Sequence, residues 1–102
     1  MPTFIDRHRF AAMPSAVRQQ MQREAAHGLV DAHGAQPVGH WLLDGVIYCV
    51  LRAPSLEAVC RHHADHGLPC DDVHPIAGAD MDLVRAAIAA LWPGDQPVEL
   101  AS

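Results

Sequence analysis

Residues 37–52 read Pro37-Val38-Gly39-His40-Trp41-Leu42-Leu43-Asp44-Gly45-Val46-Ile47-Tyr48-Cys49-Val50-Leu51-Arg52. Two apolar, aromatic-containing runs flank Asp44-Gly45, a dipeptide that tolerates two successive positive-φ positions. The pattern predicts a tight β-hairpin, with strands over 37–44 and 46–52. Upstream, residues 3–10 (TFIDRHRF) alternate as a strand. Phe4, Asp6, His8 and Phe10 share one face, and Ile5, Arg7 and Arg9 the other.

Helices fill the gaps. Pro14-Ser15 opens a stretch in which Val17, Met21, Ala25 and Leu29 form a stripe at four-residue spacing, with Gly34 as its stop. After Ala53-Pro54, Ser55 caps a second helix carrying Leu56, Val59, Cys60 and His63 along one side, and Gly67 closes it. Residues 70–76 (CDDVHPI) predict a short fourth strand, which Pro75 confines to an edge or an end. Asp80 caps a third helix with Leu83, Val84, Ala87, Ile88 and Leu91 on its apolar face. Trp92-Pro93-Gly94 stops that helix, and the tail from Asp95 to Ser102 is expected to be loose or a short exposed strand.

The order βαββαβ is that of an α+β, ferredoxin-like split fold: an antiparallel sheet with both helices on one face. Residues 1–78 would make this domain, and residues 79–102 a C-terminal helix and tail packed on it. Alternation assigns Ile5, Trp41, Leu43, Ile47, Cys49 and Leu51 to the helix-covered face. Asp6, His8, His40, Leu42, Tyr48 and Val50 fall on the opposite, bare face. So large an apolar patch is rarely left open. The expected solution is a homodimer in which two sheets pack face to face, a dimeric α/β barrel.

Composition narrows the function. At 102 residues, half of them apolar and 19% charged, the chain makes one packed domain. No apolar run approaches the ~20 residues of a membrane span. The start lacks a basic leader and an apolar core region, so a cytoplasmic protein is expected. Seven Arg, no Lys and twelve acidic residues give a net charge of −5, which disfavours a nucleic-acid partner. Three cysteines, an odd number with no C-x-x-C, argue against a disulfide scaffold.

Eight histidines in so short a chain are the anomaly. His62 and His66 stand one turn apart on one helix face, a spacing suited to a shared metal ion or to an ordinary polar helix end. His63 lies about 100° round the helix and is expected to pack on the sheet as a satisfied core histidine. Asp6 and His8 share a strand face, and His40 is expected to join them. Such a nitrogen and oxygen set suits nickel or zinc; the plainer alternative is a surface Asp6–His8 pair. Cys49 reads as an ordinary buried thiol.

These segments together resemble the DUF4242 family, whose characterised type is a nickel-binding protein. Ile5-Asp6-Arg7-His8 is similar to its M-D-R-H opening. Residues 40–50 are similar to its hairpin, Ala53-Pro54-Ser55-x-Glu57-Ala58 to A-P-S-x-E-A, and His62-x-x-x-His66-Gly67-Leu68 to H-x-x-x-H-G-L. The likeness runs over residues 4–76. It implies a ferredoxin-like fold, dimerisation and a divalent metal, nickel favoured, with Asp6, His8, Cys49, His62 and His66 as the matching positions. His40 stands where the family often carries Tyr.

The first functional expectation is therefore a small cytoplasmic protein binding nickel, or zinc, copper or cobalt, through His8, His62, His66 and Asp6, with His40 and Cys49 as further candidates. The second is a barrel enzyme with a small-molecule pocket lined by Asp6, His8, His40 and Tyr48. The third is a regulatory module in which the histidines are incidental.

Overall fold

The computed structural model describes residues 1–95. Its elements are β1 (Thr3–Arg9), α1 (Ser15–His27), β2 (Gln36–Leu43), β3 (Val46–Arg52), α2 (Leu56–Asp65), β4 (Val73–Ile76) and α3 (Met81–Leu91). The four strands form one antiparallel sheet in the order β2-β3-β1-β4. This is the ferredoxin-like arrangement, and Pro75 does stand on an edge strand. The expected tail beyond Asp95 lies outside the described residues.

Local signals set most boundaries. Asp44 and Gly45 both adopt positive φ, 53° and 78°, and close the β2–β3 hairpin as the dipeptide predicts. Ser55 Oγ accepts the Ala58 N–H at 3.2 Å and starts α2. Helix α1 departs from expectation: Gly28, at φ 61° in the left-handed region, ends it six residues before Gly34. The amides of Gly28 and Leu29 return to the carbonyls of Ala25 and Glu24, so Leu29 leaves the stripe and lies exposed.

The face assignment from alternation is corrected. Asp6 pairs with Cys49 and Ile5 with Val50 across the β1–β3 ladder, and antiparallel partners share a face. Phe4, Ile47, Cys49 and Leu51 pack under α1 and α2 with Met21, Ala58 and Val59. Asp6, His8, His40 and Leu42 belong to this same covered side. Ile5, Trp41, Leu43, Tyr48 and Val50 face the other way, against Val84, Ile88 and Trp92 of the α3 segment.

That second face is therefore not bare. Helix α3 covers it, and a polar network fastens its end. The Trp92 indole N–H donates to Asp72 at 2.9 Å, and the Tyr48 hydroxyl donates to Asp95 at 2.9 Å. Arg7 pairs with both Asp72 and Asp95 and lies over the Trp92 ring. The apolar surface that motivated a face-to-face dimer is buried within one chain.

A second correction concerns the cysteines. Cys60 on α2 and Cys70 before β4 form a disulfide, and only Cys49 is free. The odd count hid one pair and one buried thiol. Replacing Cys60 and Cys70 by Ser is expected to cost about 2–3 kcal/mol, the loop-closure value for so short a loop. Urea unfolding of the oxidised parent and the double variant measures it; coincident curves would mean that the bond does not form.

Candidate metal centre

Helix α2 delivers two adjacent histidines to two different places. His62 and His63 are both buried, at 3% and 2% exposure. Because neighbouring helix residues lie about 100° apart, one turns down to the sheet and the other toward α1.

His63 meets β1. Its Nδ1 lies 2.7 Å from the Val59 carbonyl, an acceptor, so Nδ1 carries the proton. Nε2 is then free to act as a base, and it approaches Asp6 Oδ2 closely. Asp6 is 1% exposed, and His8 Nε2 comes within 3.4 Å of its Oδ1. Neither Asp6 oxygen nor His8 Nε2 has an aligned hydrogen-bond partner. One ligand atom each from Asp6, His8 and His63 fits within a 4.8 Å span.

The electrostatics fit a site that wants positive charge. Burial opposes ionisation of Asp6, but the closely approaching nitrogens of His63 and His8 outweigh it and hold its carboxyl at about 2. Burial likewise disfavours charge on His63, and Asp6 reverses the sign, raising its proton affinity. A cation, proton or metal, belongs between these groups.

His62 points to α1. Its Nδ1 lies 2.8 Å from Asp31 Oδ2, which can only accept, so Nε2 again carries the lone pair. That nitrogen is buried without a hydrogen-bond partner, as is Glu24 Oε1, 3.8 Å away. His66 Nε2 lies 3.2 Å from the same Glu24 oxygen, and the two imidazoles stand edge to face at 4.7 Å. Glu24, His62 and His66 thus form a second set within the 4.8 Å span.

The expected ligands are thereby sorted. Asp6 and His8 do come together, but under α2 rather than on an open face, and their third member is His63, expected only as a core residue. His62 and His66 do share a face, and α1 adds Glu24. Nothing in the sequence ties Glu24 to α2, since the link is made by helix packing alone. His63 is within reach of the sequence: helix geometry puts it on the sheet side, and the β1–β3 register places Asp6 there too.

Cys49 stands opposite Asp6 in the ladder, and burial, reinforced by the Asp6 charge, keeps its thiol protonated. His40 stands opposite Cys49, and burial lowers its proton affinity. Its Nε2 is buried and unpartnered, in a small pocket with Phe10, Arg18 and Leu42. Both flank the first set without joining it. Tyr48 lies across the sheet against Trp92, so the pocket of Asp6, His8, His40 and Tyr48 expected of an enzyme is not assembled. A separate cleft of about 390 Å³ opens beside His8, between Arg7, Arg9 and Asp71.

No helix among the described residues is long and apolar enough to cross a membrane. Among curated proteins no sequence matches this one. The crystal structure of SCO4226 from Streptomyces coelicolor A3(2) is similar, with 27% identity and a TM-score of 0.57 over 76% of this chain and 99% of that one. The family model described as nickel responsive protein, SCO4226-like, matches residues 4–76, which take in both ligand sets and end before α3. By that match, the chain belongs to the SCO4226-like family of nickel-responsive proteins.

Proposed function

We propose that this chain binds a divalent transition-metal ion, nickel favoured, at Asp6, His8 and His63, with Glu24, His62 and His66 as a second centre. The observation that carries the reading is the pairing of a proton-free imidazole nitrogen with a carboxylate oxygen shielded from solvent, made twice. His63 Nε2 faces Asp6, and His62 Nε2 faces Glu24, each with the proton committed to Nδ1. Lone pair against anion is repulsive unless a cation lies between. Mixed imidazole and carboxylate donors suit nickel, zinc, copper and cobalt. Preference for nickel rests on the family description.

The residues' own tasks follow. The Val59 carbonyl orients the His63 imidazole and fixes its tautomer. Asp6, which is buried, and Glu24, which is largely covered, supply negative charge. The ion, when bound, supplies positive charge that neutralises each set. The cytoplasmic location expected from the sequence is part of this reading.

Calorimetric titration of tag-free, chelator-stripped protein with nickel, zinc, copper and cobalt at pH ~7.5 is the test. Two saturable events are expected, of which His63→Ala loses one and His62→Ala the other. Binding should weaken as pH falls below ~6, because each ligating imidazole must give up a proton. A parent that takes up none of the four ions would end this reading.

A further inference from the structure

Beside the second centre stands a carboxylate that is not one of its three ligands. Asp31 sits in the loop between α1 and β2. Its Oδ1 accepts the backbone N–H of His33 at 2.8 Å and of Ala35 at 2.9 Å, and its own N–H donates to the Ala35 carbonyl at 2.9 Å. Two of these bonds hold the carboxylate in one orientation, and the third anchors the backbone beneath it. Oδ2 is left over, and it accepts from His62 Nδ1 at 2.8 Å.

From this geometry we propose that Asp31 is the positioning residue of the Glu24–His62–His66 centre: it fixes the Nδ1–H tautomer of His62 and so presents Nε2 as a ligand. The inference rests on the metal-binding reading above. A carboxylate has no proton to give, so the shared proton belongs to Nδ1. Nε2 is thereby freed, and it is the buried, unpartnered atom that lies toward Glu24. The same relation orients many metal-bound imidazoles, and loss of such a partner costs about 10- to 100-fold in affinity. Nothing in the spacing of the sequence marks Asp31, which stands 31 residues from His62.

Asp31→Asn separates this role from loop structure. The amide oxygen can keep both backbone N–H bonds, while the NH₂ group replaces Oδ2 and donates toward Nδ1. His62 must then carry its proton on Nε2, the atom that would ligate. Long-range proton–nitrogen NMR of the metal-free proteins reads the tautomer, nickel titration reads the affinity, and a thermal melt reads the fold.

In the parent, the His62 proton is expected on Nδ1. In Asp31→Asn it is expected on Nε2, with the second nickel event weakened about 10- to 100-fold, the first unchanged and the melt close to the parent's. A parent with its His62 proton on Nε2 overturns the assignment, whether or not the variant folds. So does a variant that binds both ions with the parent's affinities. A parent that binds no metal while keeping the Nδ1–H tautomer overturns the metal reading, and with it Asp31's role toward an ion.

Discussion

Asp6→Asn is expected to abolish the first metal-binding event and leave the second. The substitution keeps the shape of a buried side chain and removes its charge. Two neutral imidazoles and an amide then face one another, and an ion there has no compensating anion in a site closed to water. A titration of Asp6→Asn that still shows two events would place the first centre elsewhere.

The same substitution should reshape the pH dependence of the metal-free protein. Asp6 titrates near 2 in the fold rather than near 3.8, so its contribution is present above about pH 4 and lost as pH falls toward 2. Two units correspond to about 2–3 kcal/mol. His63 is shifted upward from 6.5, so its contribution is full below that value and fades as pH rises through the raised one. Together they favour the metal-free parent most between about pH 4 and 6.5. Denaturant unfolding across pH 2–8 should show that maximum in the parent and a flatter profile in Asp6→Asn. Parallel profiles would mean that the pair does not form.

The second large effect concerns α3. Ending the chain after Gly78 is expected to raise the association state of the protein. The truncation removes Val84, Ile88 and Trp92 and uncovers Ile5, Tyr48, Val50, Trp41 and Leu43 on one sheet face. Contiguous apolar surface of that kind is normally covered by a partner. The truncated chain retains all of residues 4–76, the span of the family match. Light scattering behind size exclusion reads the outcome: more chains per particle for the truncated protein than for the full one. A truncated chain that folds and keeps the full protein's association state would show that α3 is not what satisfies this face.

A milder form tests the same docking without truncation. Trp92→Ala should cost about 3–5 kcal/mol, the usual range for emptying a buried Trp site. It removes the indole bond to Asp72 and the ring packed on Tyr48 and under Arg7.

Much of the fold was legible because its signals are local. Asp44-Gly45 needs only its own backbone preference to make the hairpin, Ser55 its own hydroxyl to start α2, and alternation in residues 3–9 only the strand period. The i, i+4 spacing of His62 and His66 likewise put them on one face before any neighbour was known. The 4–76 likeness drew on the same residues.

What the tertiary structure decided are relations between segments. Alternation gives two faces to each strand but does not say which face of β1 meets which face of β3. The ladder pairs Asp6 with Cys49 and Ile5 with Val50, and a one-residue difference in that pairing exchanges every side chain between faces. That parity moved Asp6 and His8 under α2, brought them to His63, and sent Tyr48 to α3. The approach of α1 to α2 added Glu24, and the loop fold added Asp31 behind His62. The Cys60–Cys70 bond belongs here as well, since a cysteine count says nothing of which thiols the fold brings within reach. Sequence alone determined the elements and the chemical type of the ligands, because dihedral preference and donor atoms reside in single residues. Which donors share an ion, and what covers the sheet, came only from packing, because those depend on distances that the chain order does not contain.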